Sequence, residues 1–276
     1  MLIRVAVQSE SPLYLEIRDA NPTDSIILER IDGLDPPDVD LFMGDYARDG
    51  GFYGGRRVPP RNISMVFELT PNYKLNESIS SLRTKLYRSL MSPFDDIDAF
   101  NILLVDDILP DRYISAYVEK FDGDPFSEDT SLTMNLRCPN PYLIDSAATN
   151  LVGTGPQLTF PYQGSARTGF EVNATLTVAS SSLTVDINGR LMKLSYAFQA
   201  GDKVYINTNR GSRRIQLTRT VNGVPVTSSL LFALLRGYPW LELRALANVL
   251  KLYGTDSTAL VADVNTLAFR GKHWGI

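Results

Sequence analysis

The residue types that carry out nucleophilic, acid–base and zinc chemistry are sparse in this chain. Its single histidine is His273 and its single cysteine is Cys138. A Ser-His-Asp or Cys-His centre needs an imidazole that a third group holds rigidly. A histidine near the end of the sequence, two residues before Gly275, suits that role poorly, and zinc sites need several clustered His or Cys ligands. We therefore expect His273 to be a plain terminal residue, with no catalytic triad and no metal site.

Acidic residues are the remaining candidates for catalysis, because paired carboxylates can bind a hard cation or act as the acid and base of a glycosidase. Acids beside Gly and Pro are mostly turn residues whose side chains bond the local backbone. Turns and solvated edges are the favoured interpretation, and a glycosidase pair stays open as an alternative. The groups in question are Asp95-Asp96 with Asp98, Asp106-Asp107, and Asp122-Gly123-Asp124.

The glycines and arginines form no recognisable nucleotide site. Gly50–Gly55 lacks the Lys-Ser/Thr that follows a phosphate loop, so it predicts a flexible or tightly bent connection. A basic cluster on a predicted hairpin suits a polyanion. Without interleaved aromatic residues, however, a solvated or subunit-contacting face is the commoner outcome. We expect no cofactor. The cluster consists of Arg210, Arg213, Arg214 and Arg219.

Two tryptophans, Trp240 and Trp274, are the candidate stacking platforms for a sugar. In the segment Leu235–Leu243, alternation places Trp240 as readily in a core as on a binding face, and large aromatic residues are mostly core residues. Both are kept as candidate carbohydrate contacts, with the core assignment of Trp240 favoured.

The elements that must position these residues are mostly strands. Leu2–Val7, Ser25–Ile31 and Asn62–Leu69 are short, apolar and rich in β-branched residues. Between Glu77 and Met91, apolar residues recur at steps of three and four, which predicts one helix. Asn76 is the predicted cap of that helix.

The second half is dominated by short strands and turn signals. Asn188-Gly189 and Asn222-Gly223 are strong two-residue hairpin signals, because both positions of such turns need positive φ. Closely spaced hairpins without helical periodicity predict an antiparallel β-sandwich. The predicted strands are Phe170–Val178, Leu183–Ile187, Arg190–Phe198, Lys203–Thr208, Arg214–Thr220 and Leu241–Ala245.

Length and charge predict two domains, residues 1–144 and 145–276, for a chain of 276 residues. The first range carries 14 Lys and Arg against 24 Asp and Glu, the second 13 against 7, so their net charges are −10 and +6. Such a division is compatible with head-to-tail or ring-forming contacts, and equally with two domains that have different solvated faces. The most apolar stretch, Leu230–Leu235, is too short to cross a bilayer, so no membrane insertion is expected.

Two segments of the first half carry motifs in a defined order. The segment Ile31–Pro37 is followed by Asp49-Gly50 and by Arg57, Pro60 and Arg61 ahead of a strand. This order resembles the distal tail protein (Dit) family of siphophages, which often shows a Gly-Leu segment, a downstream Asp-Gly and an arginine before the next strand. The segment Arg137–Leu143 looks like the family's Cys-x-x-Pro-Tyr signature at the end of its first domain.

The second half resembles that family in the order of its predicted turns and strands more than in its individual residues. Ala200–Thr208 resembles the family's Gly-Asp turn and strand, and an Asn-Gly hairpin follows in the expected order. The sequence departs from the family where many relatives have Pro-Gly-x-Asn, because this chain has Leu246–Val249 there. The resemblance implies a mainly β fold: a tail-tube-related N-terminal barrel or sandwich with one helix, then a C-terminal galectin-like antiparallel sandwich.

The same resemblance implies a non-enzymatic structural role at the distal end of a phage tail, after assembly in the host cytoplasm. Copies of the first domain would close into a hexameric ring between the tail tube protein and the tail-tip hub, with receptor-binding or side-fibre proteins attached. An acidic ring would let DNA pass without adhering, and the long segment Asp35–Arg61 would be an inter-subunit arm. The candidate contact residues are Asp35, Asp49, Gly50, Arg56, Arg57 and Arg61.

Two other classes of function remain open from the sequence. A carbohydrate-binding module in the second domain predicts glycan binding that depends on Trp240 or Trp274. A wall-degrading hydrolase that uses an Asp pair predicts release of sugars or muropeptides from purified cell walls, but no convergent set of acid, base and nucleophile supports it.

Overall fold

The computed structural model describes residues 2–8, 13–16, 25–46, 49–90, 100–106, 110–123, 129–254 and 259–275. The chain divides into two compact units. Unit 1 comprises Met1–Ser146 together with His273–Ile276, and unit 2 comprises Ala147–Lys272. The predicted boundary between residues 144 and 145 differs from this division at residues 145–146 and at residues 273–276.

Strands dominate both units. In chain order they are β1 (Leu2–Gln8), β2 (Leu13–Glu16), β3 (Ile26–Asp32), β4 (Asp40–Asp45), β5 (Gly51–Arg57), β6 (Arg61–Leu69), β7 (Phe100–Asp106), β8 (Arg112–Asp122), β9 (Ser131–Cys138), β10 (Leu143–Asp145), β11 (Thr149–Gly155), β12 (Gln157–Tyr162), β13 (Glu171–Leu176), β14 (Ser180–Ile187), β15 (Arg190–Phe198), β16 (Lys203–Asn207), β17 (Arg214–Val221), β18 (Val224–Ser229), β19 (Leu246–Tyr253), β20 (Ala262–Phe269) and β21 (Lys272–His273).

Unit 1 is built on one large antiparallel sheet with the strand order β2-β1-β7-β8-β9-β6-β3, to which β10 and β21 are attached through β8. Strands β6 and β9 pair along their whole length, from Arg61 opposite Cys138 to Glu68 opposite Ser131. Every second residue of β6 is buried, because successive side chains of a strand point to opposite faces. One face of this sheet therefore forms the core of unit 1.

The helix of unit 1, α1 (Ile79–Leu90), covers that core with Leu82 and Leu86, both buried. The predicted helix is confirmed, but its predicted cap is wrong. Ser78 caps α1: its side chain accepts from the backbone N–H of Ser81 at 3.2 Å, and the Ser81 side chain accepts from Ser78 at 2.9 Å. Asn76 instead ends a short 3₁₀ turn, Tyr73–Leu75, in the left-handed conformation.

Unit 2 is a sandwich of two antiparallel sheets with the orders β11-β20-β13-β16-β17-β18 and β12-β19-β14-β15. Inward side chains from both sheets form a single hydrophobic core, in which Val172, Val185 and Leu250 have no exposed surface. The predicted mainly β architecture is confirmed. Among the described residues, no helix is long and apolar enough to span a membrane.

The two Asn-Gly turns of unit 2 are confirmed, since Asn188 and Asn222 have φ of 51° and their glycines have φ near 80°. They join β14 to β15 and β17 to β18. The strand predicted over Leu241–Ala245 is wrong. That segment is extended and pairs only through an isolated bridge between Leu243 and Thr168, and the strand begins at Leu246.

Candidate subunit-contact site

Among the described residues of unit 1, the largest group of exposed apolar side chains is carried by the hairpin of β4 and β5, called here the hairpin arm (residues 40–57). The two strands pair only with each other, with Leu41 opposite Arg56 and Met43 opposite Tyr53. The bent connection predicted over Gly50–Gly55 is therefore wrong, because most of that segment is a strand.

The glycines of the arm provide space more than flexibility. A side chain on Gly44 would lie 2.5 Å from the ring of Phe52, and one on Gly51 would lie 2.7 Å from the carbonyl oxygen of Gly44. Only Gly50 and Gly55 have positive φ, of 72° and 139°. Gly44 therefore leaves room for the Phe52 ring, and Gly51 allows the two strands to approach closely. The many glycines in this segment had predicted a loop.

Both faces of the hairpin arm carry exposed apolar side chains. Alternation along β4 and the cross-strand register put Leu41, Met43 and Tyr53 on one face. The other face carries Phe42 and Phe52, and the ring of Tyr46 lies 5.5 Å from that of Phe52. These six side chains are between 49% and 63% exposed. A two-stranded hairpin is marginally stable by itself, and exposed apolar patches usually mark contact surfaces, so this arm is a candidate contact surface.

Arg61 fixes the root of the arm. Its side chain is 3% exposed, and it donates to the carbonyl oxygens of Gly33 at 3.3 Å, Leu34 at 3.1 Å and Trp274. Burial lowers the pKa of Arg61, while the nearby Cys138 and Asp35 oppose that shift. Burial also raises the pKa of Cys138 to about 11 against the influence of Arg61. The thiol is therefore neutral near pH 7 and belongs to the core.

Trp274 completes the root of the arm from the far end of the sequence. Its ring meets Tyr142 edge-to-face with 5.0 Å between centroids, and the Arg56 guanidinium lies 5.7 Å from its centroid. Trp274 belongs to unit 1, whereas the sequence analysis placed it in the second domain. It contacts protein on two sides, and its role as a carbohydrate contact stays a prediction.

His273 is also part of unit 1, and the expectation of a plain terminal residue is wrong. Its imidazole is 8% exposed, and its Nε2 lies 2.9 Å from Asp145 Oδ1. The Arg112 Nε lies 3.6 Å from the same oxygen. Among the described residues, Asp145 is the hydrogen-bond partner of the His273 side chain. This contact links β21 to β10.

Five of the six predicted contact residues, Asp35, Asp49, Gly50, Arg56 and Arg57, are exposed on the arm or just before it. The sixth, Arg61, is buried at the root and bonds within its own chain. Their contacts with a neighbouring subunit stay a prediction.

The apolar residues of the arm were missed by sequence reasoning. The signal was present as two short apolar runs, Leu41–Met43 and Phe52-Tyr53, on either side of a polar turn. Their pattern does not match a strand with one buried face, since both faces of the arm are apolar.

The remaining chemical candidates belong to other segments of the chain. Trp240 packs partly against the core of unit 2, and the Arg213 guanidinium lies 5.2 Å from its ring centroid. The described residues contain no group of three or more His, Cys, Asp or Glu side chains that could hold a metal. Five acids of the proposed pairs lie outside the described residues, namely Asp95, Asp96, Asp98, Asp107 and Asp124.

The fold and the arm define a protein of two antiparallel β units, one of which carries an exposed apolar hairpin. Comparison with known proteins finds no matching family model and no matching curated protein. Among solved structures, the chain is similar to SPP1 Dit (gp 19.1), described as a paradigm of the hub adsorption apparatus in phages infecting Gram-positive bacteria. The two share 16% identity and a TM-score of 0.63 over 99% of each chain.

Two structures of the phage P2 baseplate in its activated conformation, with Ca and with Sr, are also similar. Their TM-scores are 0.45 and 0.46, at 8% and 7% identity, over 98% or more of both chains. The likeness to SPP1 Dit confirms, at the level of the fold, the resemblance to distal tail proteins inferred from the sequence motifs.

Proposed function

We propose that this protein is a structural, non-enzymatic component of a phage tail tip or baseplate. In this proposal, copies of unit 1 close into a hexameric ring that connects the tail tube protein to the tail-tip hub. The hairpin arm is the observation that carries the proposal, because a unit with a complete core of its own also presents six exposed apolar side chains. The fold shared with SPP1 Dit, itself a hub protein, supports it.

The geometry of the arm favours a ring over a symmetric dimer. A ribbon that is apolar on both faces is covered best by entering a groove on a neighbour. Such a contact joins two different surfaces, and contacts of that kind generate rings when the rotation closes. Arg61 and Trp274 hold the root of the arm within its own chain, so the outer part is left to reach a neighbour.

The charge of the first domain suits a channel for DNA. Residues 1–144 carry a net charge of −10, and an acidic wall repels the phosphate backbone instead of adsorbing it. In this proposal DNA is a passing solute and not a ligand. The protein would act in the virion after assembly in the host cytoplasm, with receptor-binding or side-fibre proteins as further neighbours.

The test is the oligomeric state of the full chain, measured by light scattering after size exclusion and by negative-stain imaging. We expect a six-fold ring with a central hole for the wild type. Replacing Phe42 and Phe52 with Ser should yield monomers with an unchanged circular dichroism spectrum, because these side chains lie outside the core of unit 1.

The matched control replaces Val224 and Val226, exposed apolar residues of β18 in unit 2, with Ser. This variant should form rings like the wild type. Rings that survive the double substitution in the arm would show that the arm is not the contact. A wild type that stays monomeric at the highest attainable concentration, and is also absent from rings in purified tails, would overturn the ring itself.

A further inference from the structure

Unit 2 brings together three arginines from distant parts of the sequence, called here the arginine cluster (Arg167, Arg190 and Arg244). Thr168 and Leu243 exchange both backbone hydrogen bonds, at 3.3 and 2.8 Å, and this antiparallel bridge sets Arg167 beside Arg244. The Arg190 side chain donates to the carbonyl oxygen of Glu242 at 3.2 Å. The backbone bridge and this hydrogen bond therefore place all three arginines around the segment 242–244.

Two arginines and one carboxylate, that of Glu242, act electrostatically on Arg190. Burial lowers the pKa of Arg190, and the positive charges of Arg244 and Arg167 lower it further, with Glu242 opposing them. Within the described ranges, none of the three arginines forms a salt bridge. Elsewhere in unit 2, Arg219 is neutralised by Asp202 at 2.5 Å. Repulsion among the three arginines is unfavourable, and a bound anion would relieve it.

Further arginines lie on segments next to the cluster. Leu241 and Leu243 are buried, whereas Glu242 is half-buried and Arg244 is exposed. Gly169, two residues from Arg167, packs directly against the backbone of Asn209, since a side chain there would lie 2.6 Å from the Asn209 Cα. That contact brings the turn containing Arg210 close to Gly169, and the Arg213 guanidinium lies 5.2 Å from the ring centroid of Trp240.

We propose that the arginine cluster binds a chain of phosphodiesters of the polyol-phosphate kind found in bacterial cell walls. A guanidinium fork binds two oxygens of one phosphate side by side. A tetrahedral phosphate accepts donors from more directions than a planar carboxylate does, which suits groups arriving from three chain segments. Repeated phosphates match a patch of repeated charges, and this role is separate from ring formation through unit 1.

The aromatic residue at the site disfavours a nucleic acid. Single-stranded nucleic acids need exposed rings on which bases stack. The Trp240 ring packs against the core of unit 2, and Arg213 lies over it. The site thus offers charge without a stacking platform, as a polymer that lacks bases requires.

The experiment measures binding of a fluorescently labelled glycerol-phosphate oligomer to the full chain by anisotropy across a range of salt concentrations. The test variant replaces Arg167 and Arg244 with Gln, because both side chains are exposed and Arg190 alone bonds the backbone. We expect affinity to fall by about tenfold or more, with a salt slope shallower by about two.

The matched control removes the same charge elsewhere, by replacing Lys203 and Arg88 with Gln. Lys203 begins β16 at the end opposite Asn207, and Arg88 lies on α1 of unit 1. This variant should bind within about twofold of the wild type. Equal losses in both variants, or no binding of the oligomer, would overturn the proposal.

Two further probes of equal charge identify the ligand class: single-stranded DNA and polygalacturonate. Binding of either probe as tight as that of the glycerol-phosphate oligomer, with the same dependence on Arg167 and Arg244, would reject a polyol phosphate as the ligand. The monomeric arm variant separates the two proposals, because it should bind the oligomer as well as the wild type does per chain.

Discussion

At the scale of single residues, each unit contains a buried charged side chain that makes its hydrogen bonds within its own unit. In unit 1, Arg61 bonds three backbone carbonyl oxygens. In unit 2, the Asp202 carboxylate accepts from Arg219 Nε at 2.8 Å and from the backbone N–H of Gln199 at 2.8 Å. The importance of Arg61 was visible in the sequence as part of a motif. Its burial was not, because one acceptor, Trp274, lies 213 residues away.

Asp202 makes the stability of unit 2 depend on pH. Burial raises the pKa of this carboxyl group, but the hydrogen bonds from Arg219 and Gln199 lower it by more, so its pKa is below the ordinary value. A depressed folded-state pKa contributes stability that is present above the unfolded pKa of about 3.9 and is lost as pH falls through the folded value. We expect the free energy of unfolding of unit 2 to fall on acidification below about pH 4, and Asp202→Asn to flatten that decline.

Urea denaturation followed at several pH values measures this dependence. Asp263→Asn, which changes another acid of unit 2 on β20, is the control and should retain the steep decline of the wild type. If the free energy of unfolding falls equally steeply with pH in the wild type and in Asp202→Asn, Asp202 does not cause the pH dependence.

At the scale of elements, the turns were easier to predict than the arm. A two-residue hairpin turn needs positive φ at two adjacent positions, and an Asn-Gly pair adopts it with little dependence on the rest of the molecule. The hairpin arm depends on what covers it. Apolar side chains lie on both of its faces, with glycines between them. Neither an alternation of apolar and polar residues nor one buried face therefore identified Asp40–Asp45 and Gly51–Arg57 as strands. Strand predictions from the alternation of apolar residues are correct where one face of the strand is buried within its own chain, as in β6.

Gly189 provides a direct test of the backbone argument. Its φ is 79°, and no atom lies within 4 Å of the position that a Cβ would occupy. Gly189→Ala therefore changes backbone strain without any clash, and we expect it to lower the free energy of unfolding of unit 2 by about 1 kcal/mol.

The control for this substitution is Gly155→Ala in β11. Gly155 has equally open surroundings, but its φ is not positive. It should be neutral or slightly stabilising, by up to about 1 kcal/mol, because alanine reduces the entropy of the unfolded chain. Equal losses at both positions, measured by thermal unfolding, would contradict a role for φ.

At the scale of the whole molecule, the two units have separate hydrophobic cores, but unit 1 is discontinuous in sequence. The composition change near residue 145 predicts a domain boundary there. Nothing in the composition indicated the return of the chain to unit 1, because the returning segment is only His273–Ile276 and its partners, Asp145, Arg61 and Tyr142, are distant in sequence. Local sequence patterns indicate periodicity and turns, but they do not indicate which distant segments are in contact.

Removing residues 273–276 should therefore destabilise unit 1 and spare unit 2. The truncation deletes the His273 contact with Asp145 and the Trp274 contacts with Arg61 and Tyr142. It leaves the buried Arg61 guanidinium short of one acceptor, and an unsatisfied buried donor costs about 1–3 kcal/mol. Hydrogen exchange measured by mass spectrometry should show faster exchange around Leu34 and Arg61 and unchanged protection in β14. Faster exchange in both units would mean that the segment stabilises the molecule generally, and unchanged exchange in both would mean that the root of the arm is held by the remaining contacts alone.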